Sequence, residues 1–152
     1  MKKYNPTRQC QAVAISVLLL LSTLLPIGTA RADGRDVQYQ RIAGVLIGEG
    51  GTLGDDYDLL ACVVRNRLAR GWALASVLKP FNARYQPPSQ EHINRLVAIL
   101  NDTADDLPQE CDAVYFVYAD WYANRWIKPA VLPVVIAGGN HFYCYEDYKS
   151  MW

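Results

Sequence analysis

The sequence predicts an α+β fold, mainly helical and in a single domain, with a small β element near the C-terminus. Ile42, Val45 and Leu46 recur at helical spacing, and a second apolar stripe of the same period runs through residues 59–68. Segment 131–136 is rich in β-branched residues (Val131, Val134, Val135 and Ile136) and leads to Gly138 and Gly139, which is typical of a small hairpin or of paired extended segments. Helices therefore supply most of the expected core.

Residues 1–32 have the composition of a secretory signal peptide. A basic start precedes the apolar run 12–25, which is short for a membrane span, and residues 30–32 form the small-x-small cleavage pattern Ala-Arg-Ala. We therefore expect residues 33–152 to form the mature domain, exported to the periplasm or the extracellular wall and without a membrane span after cleavage. The alternative is a signal anchor that is not cleaved.

The mature chain has an acidic charge balance. Cleavage after residue 32 removes four basic residues and no acidic one, which leaves eleven basic against fifteen acidic residues, a formal net charge of −4. No basic patch remains that would favour nucleic acid as a partner. An anionic polymer would have to be held by local contacts, because the overall charge does not attract it over long range.

Two helices are predicted in the N-terminal half of the mature chain. The first spans residues 36–49, and the glycine-rich segment 50–54 is a turn. Asp55 or Asp56 then caps a second helix, which ends near Gly71. We expect the two helices to form an antiparallel pair, with the end of the first at the open end of the pair.

Shorter elements follow these two helices. A helix at 74–78 ends at a proline, and a helix over 89–100 opens with a serine that can cap it. The acidic segment 102–110 is predicted to be a surface connection. The aromatic segment 113–126 is predicted to be helical, with a short strand at 114–118 as the alternative.

Three cysteines belong to the mature chain: Cys62, Cys111 and Cys144. Cys62 lies among aliphatic residues of the second helix and is interpreted as a small buried hydrophobe. Cys111 and Cys144 occupy loop-like positions of an exported protein, where a disulfide between them can form if their Cα atoms are close enough. The odd number leaves one thiol outside any bridge.

Glu49 is the candidate catalytic residue. It occupies the next position of the first apolar stripe, seven residues after Ile42, and two glycines follow it. Partial desolvation and the negative end of the helix dipole both disfavour its ionised form, which suits a general acid. The alternative is a structural glutamate that reaches solvent from a fraying last turn.

Three motifs together resemble a known family. The segments 41–50 (RIAGVLIGEG), 60–67 (LACVVRNR) and 139–143 (GNHFY) have the order and spacing of the SleB-type cell wall hydrolases of spore cortex lysis, within the lysozyme-like superfamily. The resemblance covers nearly the whole mature chain and implies that residues 33–152 form the cell wall hydrolase catalytic domain. It implies a lysozyme-like fold and cleavage of the bond between N-acetylmuramic acid and N-acetylglucosamine, with peptidoglycan glycan strands as the partner and no cofactor.

The resemblance also assigns individual residues. The family's catalytic glutamate matches Glu49, its Asn-Arg pair on the following helix matches Asn66 and Arg67, and its closing segment matches 139–143. From the residues themselves, Asn66 and Arg67 are expected to bridge helix and loop rather than to contact sugar.

The sequence departs from the family just after Glu49. Family members often carry a second glutamate a few residues later, whereas residues 50–54 contain no acid. Glycoside hydrolysis ordinarily uses two carboxylates, and Asp55, Asp56 and Asp58 are the nearest candidates. If none takes part, the sugar's own substituents stabilise the reacting centre. That reaction belongs to a lytic transglycosylase, which uses the glutamate as acid and then as base, and the resemblance favours it.

The sugar-binding candidates lie in the aromatic C-terminal part of the chain. Most of the aromatic residues there are expected in the core, and Tyr118, Tyr143 and Trp121 are the candidates for the cleft. Asn140 and His141 either hydrogen-bond the sugar or close the turn.

Other classes of function have less support from the residues. A metal hydrolase is disfavoured because His92 and His141 are the only histidines, without His-x-x-x-His or Cys-x-x-Cys spacing. A cysteine peptidase needs a thiolate at a helix start, whereas Cys62 falls within a helix. The remaining alternative is a catalytically silent exported module that binds peptidoglycan or regulates another hydrolase, and a regulatory protein partner stays open.

Overall fold

The computed structural model describes residues 30–50, 53–79, 81 and 84–151, with side chains from residue 34 onward. In chain order the elements are α1 (Ala30–Gly48), α2 (Asp55–Ala69), α3 (Leu74–Leu78), α4 (Gln90–Leu100), β1 (Phe116–Ala119), α5 (Asp120–Trp126), β2 (Val135–Ala137), β3 (Asn140–Tyr143) and a 3₁₀ helix (Tyr145–Ser150). These elements confirm the α+β, mainly helical fold with a small β element near the C-terminus. The predicted signal peptide lies outside the described residues, apart from residues 30–32, which begin α1.

α2 is the centre of the main hydrophobic core. Its residues 59–64 are all buried, and it packs against α4 and α1. Ile42 and Leu46 of α1 and Leu96 and Ile99 of α4 complete the core. Burial of apolar surface is the main source of stability. The packing of α1, α2 and α4 against one another therefore fixes the positions of the end of α1 and the start of α2. No helix in the described part of the chain is long and apolar enough to cross a membrane.

Helix starts agree with the predictions at α4 but not at α2. Ser89 caps α4 by accepting a hydrogen bond from the backbone N–H of His92 at 3.4 Å. The N-cap of α2 is Gly54, with φ 131° and no side-chain cap, so the predicted capping by Asp55 or Asp56 is wrong. Both aspartates lie in the first turn instead, where the helix dipole favours their charge.

The sheet is antiparallel, with the strands in the order β1, β3, β2. β2 and β3 form the predicted hairpin, joined by Gly138 and Gly139. The helical prediction for 113–126 is wrong in its first part, because β1 pairs with β3 before α5 begins at Asp120. A short apolar run is compatible with either structure, and the pairing with a strand farther along the chain decides between them.

The two faces of the sheet contact different clusters. The cross-strand partners Val117 and Phe142 belong to the main core. The next pair, Phe116 and Tyr143, belongs to a second cluster. The other buried members of that cluster are Ala123, Ile127, Val131 and Met151. Because side chains alternate along a strand, the residues of β3 point alternately to the helices and to the second cluster.

The disulfide joins Cys62 to Cys111, whose Cα atoms are 5.3 Å apart. The predicted bridge between Cys111 and Cys144 is therefore wrong, and Cys62 is more than a buried hydrophobe. Asn66 of α2 holds the loop that carries Cys111, since its Nδ2 donates to the carbonyls of Cys111 at 2.6 Å and of Val114 at 2.8 Å. That loop lies against α2, which brings Cys111 to Cys62. Cys144 is buried outside the bridge, and its thiol donates to Oδ2 of Asp147 at 3.0 Å.

Candidate functional site

Glu49 lies directly after α1, beside the start of β3. Its backbone N–H donates to the carbonyls of Val45 and Leu46, both at 3.2 Å, and the residue is partly buried. The side-chain Nδ2 of Asn140 donates to the carbonyl oxygen of Glu49 at 3.1 Å. This hydrogen bond joins the predicted catalytic residue to the predicted Gly-Asn-His segment, although 91 positions separate them in sequence.

The turn between β2 and β3 contacts two further acidic residues. Gly138 has φ 54°, and a Cβ atom there would lie 2.6 Å from Cγ of Asp56. Glycine therefore allows the Asp56 carboxylate to lie against this turn. The backbone N–H of Asp120 donates to the carbonyl of Gly139 at 2.8 Å. Three acidic residues thus surround the turn: Glu49 through its bond to β3, Asp56 and Asp120.

Asp56 is the candidate for a second carboxylate that the structure places at this turn. Asp58 is only 4% exposed, and its two oxygens accept hydrogen bonds from Nε and Nη2 of Arg95 at 2.9 Å and 2.5 Å. Asp58 therefore holds α2 to α4. Asp55 is exposed in the first turn of α2.

Asp120 is a functional candidate that sequence reasoning missed. Its Oδ1 lies 2.7 Å from Nε2 of His141, and the Asp120 side chain is 60% exposed whereas that of His141 is 9% exposed. Nδ1 of His141 lies 3.5 Å from the hydroxyl of Tyr143. A carboxylate only accepts hydrogen bonds, so Nε2 of His141 carries the proton in this contact. The signal in the sequence is an acidic residue at a strand-to-helix junction, but that junction lies inside the segment predicted as helix.

Burial raises the pKa of the Tyr143 phenol. Desolvation raises the pKa of Tyr143 to about 12, and the neighbouring Tyr118, Asp147 and Asp120 act in the same direction. A tyrosine is already protonated at neutral pH, and the raised pKa extends this state to more alkaline pH, so the hydroxyl can donate a hydrogen bond to Nδ1 of His141.

An aromatic row extends from this cluster to the surface. Tyr118 is the cross-strand partner of His141, and its ring centroid lies 6.0 Å from that of Tyr143. Tyr122 stacks on Tyr118 at 5.4 Å, and Trp121, which is 69% exposed, contacts Tyr122 edge-on at 5.6 Å. Burial also raises the pKa of Tyr118. The row offers flat apolar rings beside hydroxyl and imidazole groups, a combination that suits a sugar.

Tyr118 also borders a cavity of about 420 Å³ on the same side of the sheet. The cavity is mainly aromatic and has one cationic wall. Its lining residues are Arg67, Trp72, Phe116, Tyr118, Tyr145 and Tyr148. The residues come from α2, the α2–α3 connection, β1 and the 3₁₀ helix, so no local sequence pattern indicates it.

The predicted site residues divide into two groups around β3. Glu49 and Asn140 meet at the end of α1. His141, Tyr143 and Tyr118 form a second group, joined by ring contacts and by the hydroxyl of Tyr143. The two groups are consecutive along β3, because Asn140 directly precedes His141, but their side chains point to opposite faces of the sheet. Trp121 lies at the exposed end of the aromatic row.

Neither metal binding nor known relatives adds to this geometry. Within the residues described, no group of three or more His, Cys, Asp or Glu side chains is placed to hold a metal ion. Comparison with models of protein families, with curated proteins and with solved structures finds no match.

Proposed function

We propose that this protein is an exported enzyme that cleaves peptidoglycan glycan strands between N-acetylmuramic acid and N-acetylglucosamine. Its reaction is that of a lytic transglycosylase, with Glu49 as general acid and then general base. The observation that carries the proposal is the hydrogen bond between Asn140 and Glu49, because it joins a partly buried glutamate to a strand with polar and aromatic side chains.

The proposed reaction balances without water. Glu49 donates its proton to the glycosidic oxygen as the bond from C1 of the muramic acid to that oxygen breaks. The C6 hydroxyl oxygen of the same sugar then bonds to C1, and Glu49 takes up the hydroxyl proton. The products are a 1,6-anhydromuramyl end and a free N-acetylglucosamine hydroxyl.

Two of the three aspartates are unsuited to act as the second carboxylate of a hydrolase. Asp58 is engaged with Arg95, and Asp55 is exposed. Asp56 is the carboxylate that lies close to the turn beside Glu49. If Asp56 instead supports an attacking water, the enzyme is a muramidase and its products have reducing ends.

The test is digestion of purified peptidoglycan sacculi by the mature chain, with mass spectrometry of the soluble products. We expect anhydromuramyl products from the wild type and a loss of about 10²–10⁴-fold in rate for Glu49→Gln. The matched control is Glu91→Gln, an exposed glutamate in the first turn of α4, which should leave the rate unchanged.

Two other results would redirect the proposal. Reducing ends would indicate hydrolysis and make Asp56→Asn the next variant. No products from the wild type on several wall types, together with wall binding that Glu49→Gln leaves unchanged, would support a silent binding or regulatory module.

A further inference from the structure

Two tryptophans of α5 are largely exposed to solvent. Trp121 is 69% exposed and Trp126 is 54% exposed, whereas Ala123 of the same helix and Ile127 directly after it are buried in the second cluster. Tryptophan contributes a large apolar area when it packs, and a group of large apolar side chains left on the surface marks a binding surface more often than an isolated one does. The exposed side of α5 is therefore a candidate binding surface.

The exposed aromatic side chains of α5 lie on one side of the helix. At about 100° per residue, Trp121, Tyr122, Arg125 and Trp126 fall within an arc of about 140°, and the buried Ala123 lies outside that arc. These four residues are called the α5 face below. The helix packs on the sheet with its small residue and directs its large rings away from the core.

Contacts between side chains order the α5 face in the absence of a ligand. Trp121 contacts Tyr122 edge-on at 5.6 Å between ring centroids, and the guanidinium carbon of Arg125 lies 5.0 Å from the ring centroid of Trp126. Each contact restricts the rotamers of two side chains. Less conformational entropy is therefore lost when a ligand packs on these rings.

The α5 face is continuous with the group around His141. Tyr122 stacks on Tyr118 at 5.4 Å, and Tyr118 is the cross-strand partner of His141. The side chain of Asn140, which donates to the carbonyl of Glu49, points to the other face of the sheet. The α5 face can therefore hold a polymer beside His141 without taking part in bond cleavage.

The charge of α5 favours a neutral polymer over an anionic lipid surface. The helix contains one acidic residue, Asp120, and one basic residue, Arg125, so its formal net charge is zero. Helices that lie on anionic membranes carry several basic residues on their polar face, which α5 does not. Flat rings pack against the C–H faces of sugar rings, and a guanidinium donates to hydroxyl and acetamido oxygens. This combination suits the backbone of an N-acetylated glycan.

We propose that the α5 face is a second glycan-binding surface, which holds the peptidoglycan strand outside the site of cleavage. The inference rests on the proposed function, which supplies the strand as the ligand. A long strand that contacts both the α5 face and the His141 group binds more tightly than either contact alone allows. The reason is that the second contact forms within a complex already held by the first.

Binding of stem-free glycan strands to Glu49→Gln protein tests this surface, because that variant should not consume the ligand. The strands are prepared from sacculi with an amidase that removes the peptide stems, and calorimetry measures the affinity. We expect Trp126→Ala in this background to lower the affinity about tenfold, as truncation of an anchoring tryptophan does. Trp126→Phe should keep most of the affinity and Trp126→Leu should not, because leucine offers apolar area without a flat ring.

The matched control is Tyr85→Ala in the same background. Tyr85 is 55% exposed, an exposure similar to that of Trp126, but its ring lies against Gly44 of α1. Its removal should leave strand binding unchanged, which shows that the effect belongs to α5 and not to any exposed ring. Circular dichroism checks the fold of each variant, and Trp121→Ala is the second variant if Trp126→Ala does not fold.

The outcomes separate this proposal from cleavage by Glu49. Unchanged strand affinity in both Trp126→Ala and Trp121→Ala, or equal affinity of Trp126→Leu and Trp126→Phe, would overturn the glycan surface and leave cleavage intact. Binding to phosphatidylglycerol vesicles that Trp126→Ala abolishes, with strand affinity unchanged, would assign the α5 face to a membrane instead. Strand binding that depends on Trp126, in a protein whose wild type cuts no sacculi, would uphold the surface and overturn the enzyme.

Discussion

At the scale of single residues, the carboxylate of Asp120 fixes the orientation of the His141 ring. The 2.7 Å contact between Oδ1 and Nε2 fixes one side of the imidazole, and the hydroxyl of Tyr143 faces the other nitrogen. Held in this way, the ring keeps one tautomer and one direction, which is what a residue that positions a sugar requires. In the proposed reaction Asp120 is thus a positioning residue that acts through His141.

Replacing Asp120 should reduce activity through orientation. We expect Asp120→Ala to lower kcat/KM for sacculi about tenfold, because the loss of one hydrogen bond to a charged group is worth about 1.5 kcal/mol. Asp120→Asn should recover most of the activity, since the amide oxygen can accept the same hydrogen bond from Nε2. Initial rates of muropeptide release measure both variants.

The comparison of the two variants separates orientation from charge. If Asp120→Asn is as inactive as Asp120→Ala, the negative charge itself matters and the positioning role is contradicted. The matched control is Asp112→Asn, because Asp112 is also an exposed aspartate and its ion pair is with Arg65 rather than with a residue of the site. This control should keep wild-type activity.

At the scale of elements, the ion pair between Asp58 and Arg95 connects α2 to α4. Arg95 binds Asp58, which is nearly buried, and also Asp106, whose side chain is 80% exposed. The hydrogen bonds that Arg95 donates to these carboxylates, chiefly to Asp58, hold the pKa of Arg95 above its ordinary value. The two contacts share one arginine but differ in burial.

This difference in burial predicts different effects on stability. Asp58→Asn should lower the free energy of unfolding by about 2 kcal/mol, because it leaves a partly buried guanidinium without its main partner. Asp106→Asn should shift the urea midpoint very little, since solvent screens an exposed pair. Equal shifts for both variants in urea unfolding would contradict this account.

The elements also show how far the sequence can be interpreted. Helices α2, α3 and α4 are predictable because their apolar spacing and the Ser89 cap are local features. The local pattern of 113–126 predicts helix where β1 forms, because the strand depends on a partner, β3, that is distant in sequence. The resemblance names Glu49 and Asn140 as site residues but not the hydrogen bond between them. The aromatic cavity and the contact of Asp120 with His141 depend on tertiary packing, which no local pattern records.

At the scale of the whole molecule, the Cys62–Cys111 disulfide closes a large loop around the main core. The two cysteines are 49 positions apart, and the enclosed chain includes about half of α2 and all of α3 and α4. A cross-link of this span lowers the entropy of the unfolded chain, which stabilises the fold by about 2–4 kcal/mol. The sequence identifies Cys111 as a bridging residue but not its partner, because the distance between Cα atoms is a property of the packed chain.

Removal of the disulfide should therefore destabilise the mature protein as a whole. We expect the double variant Cys62→Ala, Cys111→Ala to lose about 2–4 kcal/mol in urea unfolding, with dithiothreitol causing a similar loss in the wild type and no further loss in the variant. Peptide mapping without reduction should yield a fragment that links Cys62 to Cys111, whereas a fragment that links Cys111 to Cys144 would contradict the structure. In the denatured mature chain one thiol should react before reduction and three after it, because Cys144 lies outside the bridge.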